Sequence, residues 1–94
     1  MAVKTFQYSL VEDVPQLIVP QANMPQEVHV HNHEHAIGRD LYIGGGSAVS
    51  EANGHNVLAD SDMIITLQPN QVLWGMTPTG AGCDVTVLCI QKDG

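Results

Sequence analysis

Cys83-Asp84-Val85-Thr86-Val87-Leu88-Cys89-Ile90 carries an apolar residue at every second position, with Cys83, Val85, Val87 and Cys89 in phase. A period of two is that of a β-strand, so these four share one face, and Asp84, Thr86, Leu88 and Ile90 share the other. The second face changes from polar to apolar along the segment, which predicts that one end of the strand is buried on both sides.

The same period recurs upstream. Phe6, Tyr8 and Leu10 alternate with Thr5, Gln7 and Ser9, so residues 3–10 read as a half-buried strand or an extended arm. Residues 17–19 are short and flanked by Pro15 and Pro20, which restricts them to a sheet edge. Residues 27–32, 40–43, 47–50, 55–58, 63–67 and 72–76 are further strand segments. The pair Asn53-Gly54 suits the positive φ values of a tight hairpin between 47–50 and 55–58. Ile64, Ile65 and Leu67 break strict alternation, which predicts a strand covered on both faces.

Between these segments lie Pro15, Pro20 and Pro25, then Gly38, Gly44-Gly45-Gly46, Asn53-Gly54, Pro69-Asn70 and the run from Pro78 to Gly82. Turn residues at intervals of about eight to twelve positions mark an all-β chain. A helical apolar period is missing from every window. The 94 residues suffice for one domain. The expected fold is all-β, a compact antiparallel β-sandwich or jelly-roll-like barrel of seven to eight short strands. Residues 1–26 form an N-terminal strand or extended arm, and 27–94 form the sandwich core.

Composition narrows the function. With 44% apolar residues the chain has the make-up of a folded domain. Ten acidic against three basic residues, a formal charge of −7, disfavour nucleic acid and anionic membranes as partners. The longest apolar stretch is 72–76, which fits neither a signal peptide nor a transmembrane helix. Cys83 and Cys89, six positions apart on one straight strand, stand roughly 20 Å apart, beyond disulfide reach. They read as two buried thiols, consistent with a reduced, intracellular origin.

The unusual segment is Val28-His29-Val30-His31-Asn32-His33-Glu34-His35. While it stays extended, its four imidazoles project from one face and Val28 and Val30 from the other. Two histidines at i and i+2 can share a zinc or iron ion, and His31 has that spacing to both His29 and His33. A closed structural site needs four ligands, so His55 or symmetry-related copies would have to supply the rest. Asn32 and Gly38 place the strand end near residue 32, splaying His33 and His35 into a turn. The segment is therefore read as a solvated or interface polar face, and no residue is assigned as a metal ligand.

Catalytic patterns are missing. A cupin-type motif fails because its glutamate position falls on His35 or Ala36, or, one step on, on Ile37 or Gly38. Gly46-Ser47-Ala48-Val49 lacks the second glycine of a nucleophile elbow. Asp60 and Asp62 around Ser61 read as a turn before a strand. Gly44-Gly45-Gly46 precedes neither a helix nor a lysine, as a phosphate cradle requires. Trp74 has no basic neighbours and reads as a core or interface anchor. No catalytic residue, cofactor or cofactor-binding residue is expected.

The strand and turn pattern resembles the phage capsid decoration, or head accessory, proteins. It is carried by His31-Asn32, Ile37, Leu41-Tyr42-Ile43-Gly44-Gly45, Val49, Asn53-Gly54, Leu58, residues 63–67, Val72-Leu73-Trp74 and Val85-Thr86-Val87-Leu88, over about residues 28–91. His29, His33 and His35 depart from it. The resemblance implies a small β virion protein on the outer surface of the head. There it would be a homotrimer that binds the major capsid protein and reinforces contacts between capsomers. The alternative is a tail, spike or metal-binding β domain that uses the segment from His29 to His35.

Overall fold

The computed structural model describes residues 2–34, 40–50, 52–78 and 82–92. His35, Ile37 and Gly38, singled out above, lie outside the described residues. Eight strands run in the order β1 (Ala2–Leu10), β2 (Gln16–Val19), β3 (Gln26–Asn32), β4 (Leu41–Gly44), β5 (His55–Val57), β6 (Asp62–Leu67), β7 (Leu73–Met76) and β8 (Cys83–Gln91). There is no helix among the described residues.

The strands form two four-stranded sheets, β1-β8-β3-β6 and β2-β7-β4-β5, antiparallel throughout. This interleaving is the double Greek key of a jelly roll, in which two sheets bury their inner faces against each other. Closure of that kind requires the first and last strands to meet. Accordingly β1 pairs along its whole length with β8, from Ala2 opposite Gln91 to Leu10 opposite Cys83.

The core follows from the period of two. Val28 and Val30 of β3 and Cys83, Val85, Val87 and Cys89 of β8 point inward from the first sheet and are buried. They meet Ile18, Val19, Leu41, Ile43, Val57 and Leu73 of the second sheet in one cluster. Each such side chain contributes about 1.5–3 kcal/mol when fully withdrawn from water. The two thiols are part of this core and form no disulfide. Burial pushes the Cys89 thiol above its ordinary range, with Lys4 partly opposing the shift.

Asn32 is the buried polar residue that ties the sheets. Its amide nitrogen donates to the Val57 carbonyl of β5 in the opposite sheet at 3.3 Å. Its amide oxygen accepts the Glu34 N–H at 3.0 Å, turning the chain out of β3. An asparagine side chain can satisfy both demands, one donor and one acceptor, at a position with no solvent exposure. The strand end expected near residue 32 is thus present.

β1 and β2 are edge strands of different sheets, so 2–19 is built into the sandwich. β2 pairs with β7 through a bulge between Leu17 and Val19, which lets both Ile18 and Val19 face the core.

Three local expectations are corrected. Residues 47–50 are turn and loop, not strand. The Asn53 side chain binds the backbone there, accepting from Ser50 N–H at 2.8 Å and donating to the Ala48 carbonyl at 3.1 Å, and so takes groups a ladder would need. Gly54 N–H donates to the Ser50 carbonyl at 2.7 Å, and β5 pairs with β4 instead. A Cβ on Gly54 would lie 2.8 Å from both that carbonyl and Tyr42 Cβ, so the glycine serves close approach. Second, β6 is an edge strand covered on one face. Ile65 packs on the core, and Ile64, on the opposite face by the strand period, is 63% exposed. Third, Leu88 and Ile90 on the outer face of β8 are half-buried by their neighbours, with no second layer over them among the described residues.

Candidate functional site: the outer face of the first sheet

β3 lies between β8 and β6, so its outward residues Glu27, His29 and His31 occupy the centre of an exposed sheet face. Antiparallel pairing sets side chains opposite one another in rows. One row is Val3, Ile90, Glu27 and Thr66; the next is Thr5, Leu88, His29 and Ile64; a third is Gln7, Thr86, His31 and Asp62. The face is therefore apolar along Val3, Ile90 and Leu88, and polar toward the third row. Val3 is 59% exposed.

The histidines occupy two different environments. His29 Nε2 lies 3.0 Å from the Glu27 carboxylate, and Lys92 Nζ stands 3.9 Å from the same group. The hydrogen bond to His29, then the charge of Lys92, hold the Glu27 carboxyl below its ordinary range. His31 Nδ1 contacts the carboxylate of Asp62 across the strand pair. His33, one residue past β3, places Nε2 on the Thr86 hydroxyl, and its N–H donates to the Asp84 carbonyl at 2.9 Å. The His31 and His33 rings meet edge-on, centroids 4.4 Å apart at 84°. The Asp84 carboxylate, next to His33, accepts from the Ser9 hydroxyl at 2.8 Å.

The strand period thus brings His29 and His31 to one face, as the sequence indicates, and His33 is turned back beside His31. His55 is on β5 in the other sheet, so it does not join them. It lines instead a cleft of about 590 Å³ at the open side of the sandwich, with Ile43, Ile65, Asn70, Gln71 and Leu73. Asp60 occupies the turn before β6 at φ 56°. Asp62 is the first residue of β6 and not part of the turn before it, as the sequence had it, and its contact with His31 is not visible in the sequence: 31 positions separate them. Gly44 closes β4 and Trp74 is half-buried on β7. No group of three or more His, Cys, Asp or Glu side chains converges to hold a metal among the described residues.

No family model matches the sequence, and no curated protein does. The fold has a solved counterpart in a Bacillus endospore appendage, from a group described as a novel family of disulfide-linked pili. The similarity has a TM-score of 0.62 at 9% identity and covers 98% of this chain and 87% of that one. At that identity the likeness concerns the fold.

Proposed function

We propose that this chain is a structural protein of a phage virion, a capsid decoration protein. In this reading it is made in the host cytoplasm and binds the outer surface of the head as a homotrimer. There it contacts the major capsid protein and stabilises capsomer contacts. The observation that supports this most is the outer face of the first sheet, where Val3, Leu88 and Ile90 form an apolar strip on a chain of charge −7. An apolar strip rimmed by Glu27, His29 and Gln7 is the anatomy of a modest protein interface. One copy offers little area, so its affinity is small; several copies around a symmetry axis multiply it through effective concentration.

The fold likeness to an appendage protein favours a second reading, a subunit of an extracellular filament. Both cysteines here are buried in the core, so this reading does not carry a disulfide linkage with it. Purified untagged protein separates the two. A trimer by sedimentation equilibrium that co-sediments with empty heads supports decoration. Filaments in negative-stain micrographs support the second. A monomer that does neither refutes both.

A further inference from the structure

We propose that His31 and His33 form a chelating pair for a divalent transition-metal ion of the borderline class, such as zinc, with Asp62 as the residue that orients His31. This site does not depend on the assembly reading above. It rests on how each imidazole is held. An ionised carboxylate accepts and cannot donate, so Asp62 fixes the proton of neutral His31 on Nδ1 and leaves the Nε2 lone pair free. A carboxylate behind a ligating histidine is the usual support of such ligands, fixing both tautomer and ring orientation. The Thr86 hydroxyl can accept from His33 Nε2, which leaves the lone pair on His33 Nδ1.

With ring centroids 4.4 Å apart, the two imidazoles can share one ion at about 2.0–2.1 Å from each nitrogen once their side chains rotate to bring His31 Nε2 and His33 Nδ1 toward a common point. The Asp62 carboxylate touches His31, the backbone carbonyl of Asp84 accepts from His33 N–H, and the whole chain is acidic, so the local field favours a cation. His29 is engaged by Glu27 and belongs to the row beyond. The pair supplies two ligands, and water or donors from another copy complete the shell. Nitrogen ligands select zinc, nickel or copper(II) over magnesium and calcium.

The test is calorimetric titration of the untagged full chain with zinc chloride at neutral pH, with magnesium and calcium chloride as controls. Nitrogen chemical shifts of the five histidines are followed in parallel. The expected result is saturable zinc binding that shifts His31 Nε2 and His33 Nδ1. His31→Ala and His33→Ala should each weaken it at least tenfold, and Asp62→Asn by roughly 10–100-fold. His29→Ala and His55→Ala should leave it unchanged. Asp62 is three-quarters exposed as a side chain and His31 and His33 lie on the outer face, so these variants should melt like the parent. No zinc binding, binding that survives His31→Ala or His33→Ala, equal loss in His29→Ala, or competition by magnesium would overturn the assignment.

Discussion

Replacing Asn32 by alanine removes the hydrogen bond from β3 to the Val57 carbonyl of the opposite sheet and the one that receives Glu34 N–H. Each bond contributes about 0.5–1.5 kcal/mol net, and a buried carbonyl left without a partner costs about 1–3 kcal/mol. Glu34 is only half-buried, so water can replace its partner and the full penalty falls on the Val57 side. The expected loss is about 2–4 kcal/mol, a lowering of Tm by roughly 10–30 °C in a domain of this size. Asn32→Asp sharpens the test. It keeps the acceptor for Glu34 but points a carboxylate oxygen at the Val57 carbonyl, so at neutral pH it should be less stable than Asn32→Ala. Burial would raise this carboxyl's folded pKa above its unfolded value near ~3.9. A raised acid is most favourable to folding below the unfolded pKa and loses that contribution as pH rises through the folded one. The aspartate variant should therefore recover relative to the alanine variant on acidification, when its hydroxyl can donate to Val57. Urea unfolding followed by Trp74 fluorescence and far-UV circular dichroism at pH 7 and pH 5 measures both effects. An alanine variant within ~0.5 kcal/mol of the parent, or an aspartate variant as stable as the parent at pH 7, would refute the account of Asn32 as the tie between sheets.

Thr77 is fully buried and its hydroxyl has no hydrogen-bond partner among the described residues, so Thr77→Val should stabilise the fold by about 1 kcal/mol in the same assay. A loss of stability would mean that the hydroxyl is satisfied in solution. Cys83 and Cys89 should react slowly with a charged disulfide reagent in folded protein and fully in urea. Because the Cys89 pKa is raised, the unfolded thiol ionises first, so stability should decline as pH rises above ~8.5; rapid native labelling of either thiol would contradict its place in the core. Deleting residues 1–25 removes β1 and β2 with Leu10, Ile18 and Val19, so the product should lack a cooperative unfolding transition; a soluble, cooperatively folded fragment would return this stretch to the status of an arm. Gly54→Ala should destabilise, since its Cβ would need the Ser50 carbonyl or Tyr42 to move, and a neutral result would show that the loop yields freely.

Local pattern determined much of this protein. The period of two assigned Cys83, Val85, Val87 and Cys89 to the core face, and Phe6, Tyr8 and Leu10 to the inner side of β1, because alternation follows from strand geometry at each residue. Turn residues likewise marked most strand ends, including Asn32. Tertiary pairing decided the rest. Whether Ile64 is covered depends on β6 being an edge, and whether 47–50 makes a strand depends on Asn53 folding back on it. The third row of the first sheet, where Asp62 reaches His31 and Thr86 reaches His33, exists because β6, β3 and β8 are neighbours in one register. Periodicity carries the face of each strand but not its neighbours, and the choice of neighbour is made by burying all the apolar faces at once in a double Greek key.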